Sequence, residues 1–195
     1  MLSPAKFWPK EKPDVPRDPH GWFAPCVAER VRAAISKDMT VLLELGAWMG
    51  MSTRFICDHA PEGAQIITVD TWKGSVEHQG DVRLETLYET FLVNCWDYKD
   101  RLAPLRMTTQ EGMKFIRMQG IEPQFVFIDA DHSYEGVCAD IQTALDFWPN
   151  IKIVGDDWAY GGAEDPAYPV RKAAIEMAGK YDKHLMHHSN AWWYA

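Results

Sequence analysis

The sequence predicts an α/β fold: a doubly wound, mostly parallel sheet of seven strands, helices on both faces, and an antiparallel edge hairpin. Three observations predict it. Short apolar runs of strand length alternate five times with longer segments whose apolar residues recur at helical spacing. Two of these runs, Val41-Leu42-Leu43 and Phe125-Val126-Phe127, lead directly into ELGAWMG (Glu44–Gly50) and IDADHSY (Ile128–Tyr134). The last two runs are separated only by His188-Ser189-Asn190, too short for a crossover helix, so they must form a hairpin.

Each element follows from local chemistry. Residues 1–24 form a proline-rich arm, because Pro4, Pro9, Pro13, Pro16 and Pro19 exclude a helix interior or a central strand. Trp8, Trp22 and Phe23 are its adhesive points, suited to the body of the protein or to a second copy in a homodimer. Residues 25–195 form a single domain. A helix opens at Pro25 with Val27, Val31, Ala34 and Ile35 inward, and strand Val41–Glu44 leads to a helix near Ser52–Ala60. Strand Ile66–Asp70 passes through the polar loop Lys73–Gly80 into a helix capped by Asp81. That helix has Leu84, Leu87, Tyr88, Phe91 and Leu92 on one face. A short strand near Leu105–Met107 precedes Thr108-x-x-Glu111, a capping box that opens a helix to about Met118. Strand Phe125–Ile128 leads to a helix from Ser133, with Asp131 expected as its N-cap. Strand Ile151–Gly155, the loop Asp156–Pro166 and a helix ending at Gly179 as its C-cap complete the alternation. Lys183–His187 and Ala191–Tyr194 are the final strands, with one antiparallel strand expected at the edge.

Composition narrows the function. A chain of 195 residues with 47% hydrophobic and 25% charged content buries its own core. The net charge of −8 argues against a phosphate-tracking nucleic-acid binder. Cys26, Cys57, Cys95 and Cys138 are far apart without metal-ligand spacing, as expected of thiols in a reducing compartment. The first residues lack an apolar signal core, and no run approaches membrane-spanning length. The expected location is cytoplasmic, with no membrane partner.

The candidate site gathers where parallel strands end. Gly46 permits a tight turn, Gly50 the close approach of a helix to the sheet, and Ser52 a cap for that helix. Amides beyond the turn, at Ala47 and Trp48, face the ligand. Glu44 at the strand end disfavours a pyrophosphate and suits an ammonium group. Asp70 ends the second strand, where an acid accepts ribose hydroxyls. Thr109 and Gln110 lie where adenine edges are read, with helix capping as the competing role. Asp129, Asp156 and Asp157 end two adjacent strands, so their charges converge and favour a hard divalent cation, Mg²⁺ first, then Mn²⁺ or Ca²⁺. His132 at the same mouth suits a general base. Trp158 and Tyr160 are candidates for an acceptor wall.

Taken together, ELGAWMGMS, IITVD, TTQEG, IDADHSYEGV and IVGDDW resemble class I S-adenosylmethionine-dependent methyltransferases, with their Rossmann-like fold. The likeness is nearest to the metal-dependent small-molecule O-methyltransferases, the catechol and caffeoyl-CoA group, and among them to enzymes that methylate sugar hydroxyls. It spans roughly residues 25–195. The resemblance implies S-adenosylmethionine as cofactor, with Glu44 and Gly46 at its methionine portion, Asp70 at the ribose, Thr109 and Gln110 at the adenine, and Trp72 stacked on the adenine. It implies Asp129, Asp156 and Asp157 as metal ligands, Asp157 replacing an asparagine common in the catechol group. It also implies His132 where that group has a lysine base.

The mechanism expected from these residues is methylation of a small-molecule hydroxyl whose proton passes to His132, with Asp129 and its neighbours holding the cation. The aromatic-bearing loops Trp72–Gly80 and Trp158–Tyr168 would select the acceptor. Two other classes fit the same residues: a metal-dependent hydrolase using the aspartates, and a silent cofactor-binding module.

Overall fold

The computed structural model describes residues 1–75, 78, 80–160 and 168–195. Its strands are β1 (Val41–Leu45), β2 (Gln65–Asp70), β3 (Leu102–Arg106), β4 (Phe125–Ile128), β5 (Lys152–Gly155), β6 (Leu185–His188) and β7 (Ala191–Tyr194). They form one seven-stranded sheet in the order β3-β2-β1-β4-β5-β7-β6. The five strands β1 to β5 pair in parallel, while β7 is antiparallel to both β5 and β6. Helices α1 (Pro25–Ala34), α2 (Met51–His59), α3 (Leu87–Asn94), α4 (Thr109–Met118), α5 (Tyr134–Phe147) and α6 (Pro169–Lys180) cover both faces. Among the described residues no helix is long and apolar enough to cross a membrane. Parts of the expected acceptor loops, residues 76, 77, 79 and 161–167, lie outside the described residues.

Alternation along the strands builds two cores. In β1, Val41, Leu43 and Leu45 face the helices α4, α5 and α6, where they meet Met113, Ile116 and Ile141. Leu42 faces the other side with Phe125 and Phe127 of β4, against Val27 and Val31 of α1, Ile56 of α2 and Phe91 of α3. A central strand buried on both faces must be apolar throughout, which explains the unbroken run that betrayed it. Glu44 is the exception and lies on the α2 side, fully buried. Ser52 Oγ and Thr53 Oγ1, in the first turn of α2, donate to its two carboxylate oxygens at 2.6 Å each. Ser52 therefore serves as a tether and not as the expected cap; the N-cap position belongs to Gly50, at φ +83°.

Several boundaries differ from expectation for identifiable reasons. β3 runs from Leu102 to Arg106, earlier than the expected Leu105–Met107, and contains Pro104. The sheet order puts β3 at an edge, where a missing N–H breaks no ladder. The helix expected from Asp81 divides into a 3₁₀ turn, Val82–Thr86, and α3. Asp81 caps the turn through the Arg83 amide and also binds the Arg83 guanidinium, while Thr86 (φ −126°, ψ 20°) interrupts the helical backbone. Ser133, not Asp131, caps α5; Asp131 instead accepts from the Ser133 amide at 2.8 Å. Gly179 sits inside α6, whose C-cap is Tyr181. The reversed strand β7 is inserted one place in from the edge, so that β6 is outermost.

The N-terminal arm lies against the β3 edge. It makes a 3₁₀ turn at Pro4–Phe7, and Leu2 exchanges two 2.9 Å hydrogen bonds with the side chain of Gln65. Trp8 Nε1 donates to the Leu102 carbonyl at 2.7 Å, and its indole packs edge-on against Trp96. The arm thus covers an edge that would otherwise offer unpaired backbone groups to another chain. Trp8→Ala should lower the unfolding free energy by about 2 kcal/mol in a urea titration, with the far-ultraviolet circular dichroism of the native state unchanged.

Glu44 generates a second expectation. Burial, outweighing the hydroxyl hydrogen bonds, raises its carboxyl from 4.5 to about 7. Because the folded value is the higher one, the protonated group's stabilising share is complete below pH 4.5 and is lost as pH rises to about 7. Glu44→Gln retains the hydroxyl partners without the ionisation. The variant should therefore gain stability relative to the wild type between pH 4.5 and 7, by as much as about 3 kcal/mol, as measured by denaturant unfolding across that range.

Candidate active site

β1 and β4 are neighbours, but the chain leaves them in opposite directions across the sheet, and the ends of such strands leave a crevice. There a cavity of about 1250 Å³ opens, lined from the turn after β1 to the loop after β5. A pocket for one drug-sized ligand is typically about 300–1,000 Å³, so this one has room for two.

One side is a backbone cradle. Gly46 has φ +86°, and a Cβ added there would lie 1.8 Å from the Asp129 carbonyl oxygen, so the turn after β1 packs directly on the end of β4. Gly50 also replaces a side chain, though its close neighbours are Cys95 and Phe91, helix against helix and not helix against sheet as expected. Asp70 binds the two loops together. Its Oδ2 accepts from the amides of Ala47 (2.8 Å) and Trp48 (3.0 Å), which were expected to face the ligand and are instead engaged by this carboxylate, and its Oδ1 from the amide of Trp72 (2.7 Å). Trp48 and Trp72 sit at φ +47° and +49°, conformations rare for bulky residues and held here by that carboxylate.

Ala47, Trp48, Ser52, Asp70, Thr109 and Gln110 all line the cavity with Gly46. Glu44 and Trp72 do not. Glu44 is sealed beneath α2 by the strand's alternation, and Ser52 is the group that separates it from the ligand space. Trp72 was expected to stack on adenine; instead it is 2% exposed, packed between Tyr88 and Phe91, with Nε1 donating to the Trp48 carbonyl. Its indole is not part of the cavity lining. Trp48 does line the cavity, and its buried Nε1 has no acceptor among the described residues, which fits a ligand carrying one.

Thr109 and Gln110 share an anchor that the sequence reading missed. Thr109 Oγ1 and Gln110 Nε2 both donate to Asp140 Oδ1 on α5, the latter at 2.7 Å. Asp140 is buried, which raises its carboxyl to about 7 despite the Thr109 bond. An acid three residues after Val137 on a helix face that should be apolar was the available signal.

The opposite side is acidic. Asp129, His132 and Asp157 each present one ligand atom, and all three atoms lie within 4.8 Å of one another. His132 Nε2 stands 3.0 Å from Asp157 Oδ2 and 3.7 Å from Asp129 Oδ1. Asp156 also lines the cavity but does not join this trio, as its Oδ1 accepts from the Asp157 amide and from Asn190 Nδ2, both at 2.6 Å. Extended backbone sends neighbouring side chains to opposite faces. Asp157, at φ +61°, escapes that rule, and both carboxylates reach one cavity. Asp and Asn are the residues that best tolerate this conformation.

The electrostatics are those of an excess of negative charge. Burial raises the carboxyls of Asp129 and Asp156, and the neighbouring acids raise them further. Burial acts the same way on Asp157, but the His132 hydrogen bond and charge prevail and hold it low. Burial disfavours the His132 cation, yet its bonds to Asp129 and Asp157 outweigh that and raise it. Tyr160 flanks the imidazole with ring centroids 4.5 Å apart. Trp158, the other expected wall residue, is buried and stacked on His187. At the mouth, Trp22 and Trp48 enclose His78, at centroid distances of 5.5 and 4.3 Å. Trp22, expected only as an adhesive point of the arm, and His78, within the loop Trp72–Gly80 expected to select the acceptor, both join the lining.

Comparisons with known proteins fit this geometry. A family model described as a methyltransferase domain matches residues 43–158. No curated protein matches the chain in sequence. Among solved structures, an O-methyltransferase from Bacillus cereus in complex with SAH superposes with a TM-score of 0.60 at 19% identity, over 88% of this chain and 80% of that one. The methyltransferase MycE of the mycinamycin pathway, solved with Mg, SAH and mycinamycin VI, gives 0.57 at 19% identity, over 89% of this chain. This chain spans about half of MycE, 49% of its length. The calicheamicin methyltransferase CalS11 gives 0.60 at 13% identity, covering 87% and 77%. With the family model matching more than half of its length, the chain belongs to the methyltransferase-domain family and has the fold of the class I S-adenosylmethionine-dependent enzymes.

Proposed function

We propose that this protein transfers the methyl group of S-adenosylmethionine to a hydroxyl of a small molecule, a sugar, phenol or polyol, with help from a divalent cation. One observation carries the reading: a single cavity with room for two ligands has the Gly46 turn and Asp70 on one side and Asp129, His132 and Asp157 on the other. The similar structures add support, since those from Bacillus cereus and the mycinamycin pathway hold SAH, and the latter also Mg. CalS11 is described as a TDP-rhamnose 3'-O-methyltransferase.

The residues fit both groups. The glycine cradle, the Trp48 Nε1 that lacks an acceptor among the described residues and the Thr109–Gln110 pair suit an adenosyl ligand, with Asp70 beside the ribose. Asp70 already accepts three amides, so its remaining capacity is about one further donor, at Oδ1. Asp129 and Asp157, whose ligand atoms converge, would hold the cation, with the remaining oxygen of Asp156 as the further ligand since its Oδ1 is tied to Asn190. Such a set of mutually repelling carboxylates suits a hard ion such as Mg²⁺. When bound, the sulfonium donor supplies an electrophilic methyl group, and the cation supplies positive charge beside the acceptor.

The chain's own contribution is positioning and proton transfer. The cradle holds the donor at the β1 end while the acidic centre orients the acceptor hydroxyl, which converts an encounter into a near-attack pair. Against the effect of burial, Asp129 and Asp157 hold His132 protonated, raising it to about 11. A cation on those carboxylates would offset their charge, and the neutral Nε2, facing the cavity, would then be the group that takes the hydroxyl proton. Tyr160 and the Trp22–Trp48 mouth restrict water and acceptor shape.

Calorimetric titration with SAH, followed by an acceptor panel assayed for SAH release with and without EDTA, tests the reading. Micromolar binding and EDTA-sensitive turnover are expected. Absence of SAH binding overturns the methyltransferase assignment, and turnover indifferent to EDTA overturns the cation. His132→Ala should lower kcat by about a hundredfold or more while leaving SAH affinity unchanged.

A further inference from the structure

The side-chain donor that touches both Asp156 and Asp157 does not come from the β5 segment that carries them. It comes from the turn between β6 and β7. Asn190 Nδ2 donates to Asp156 Oδ1 at 2.6 Å and to Asp157 Oδ1 at 3.2 Å. Carboxylates only accept, so the amide nitrogen must face them, and the side-chain oxygen then takes the Ala159 amide at 3.2 Å. The Asn190 backbone carbonyl accepts from the Trp158 amide at 3.0 Å. Both donor hydrogens and both carbonyls of Asn190 are therefore engaged with the segment Asp156–Ala159.

We propose that Asn190 is a positioning residue of the acidic centre, a clasp that sets the two adjacent aspartates with one oxygen tied back and the other presented to the cavity. Asp157 conforms to this division: Oδ1 meets Asn190 and Oδ2 faces His132. The chemistry explains why an amide stands here. Two consecutive carboxylates repel, and Asp157 occupies a left-handed backbone conformation that needs a constraint. A lysine or arginine would hold the pair but compete with a cation for it. A neutral donor holds them and leaves their charge for the ligand. The hairpin is itself fixed, since Trp192 Nε1 donates to the Asp156 carbonyl at 2.8 Å and Ser189 makes the tight turn at φ +53°.

The inference rests on the cation reading proposed above, and Mn²⁺ titrated alone into the full chain separates the two. Wild-type protein should bind one Mn²⁺. Asn190→Ala should weaken that binding by about tenfold to a hundredfold, keep SAH affinity within about twofold, and recover much of its kcat at saturating Mn²⁺. Asn190→Ser, which keeps a shorter donor, should lie between the two, and it decides the matter if thermal unfolding finds the alanine variant misfolded. Wild-type Mn²⁺ affinity in a folded Asn190 variant overturns the clasp alone. No Mn²⁺ binding by the wild type overturns the cation reading, and the clasp with it.

Discussion

Gly46 and Asp129 meet backbone to backbone where β1 and β4 part, with no space between them for even a methyl group. The two halves of the cavity hang from this contact. The turn that leads from Gly46 into α2 carries the amides bound by Asp70, and the segment after Asp129 carries His132 and starts α5. A side chain at position 46 would push apart the strand ends that aim both groups, and the left-handed backbone there adds strain for any residue but glycine. Close approach at one pair of residues thus sets the separation between the cradle and the acids.

Around that contact the protein buries more negative charge than a core of this size would accept unaided. Each acid has a different remedy. Glu44 takes two hydroxyls from α2 and shifts toward its neutral form. Asp70 takes three backbone amides. Asp157 leans on His132, and Asp156 on Asn190 and an amide. Buried charge without a partner is costly, so the distribution of partners separates structural acids from those left free to act. Glu44 and Asp140 are enclosed and structural, while Asp129 and Asp157 keep oxygens at the cavity.

Most of the fold was legible because apolar periodicity reports burial directly. The Val41–Leu45 and Phe125–Ile128 strands, the Thr108–Glu111 capping box and the closing hairpin appear where the residues indicated. The site was legible along the chain but not across it. Gly46, Asp70, Asp129 and His132 follow strands and so had to reach one rim. Misassignments came where orientation mattered: period-two alternation turned Glu44 under α2, and a left-handed turn at Trp72 sent its indole into the core. Asn190 looked like an ordinary turn residue. Only the insertion of β7 beside β5 carries it to the aspartates, and strand order is a property of the whole sheet.

That insertion also imposes an order on assembly. The strand made last, β7, lies inside the sheet, between a neighbour synthesised well before it and another completed just before it. A chain emerging from the ribosome can therefore stack β1 to β5 and their helices while the aspartates after β5 still lack their amide partner. On the role proposed for Asn190, the acidic rim is completed only once translation has passed the hairpin, so a half-made polypeptide would carry the scaffold without its clasp.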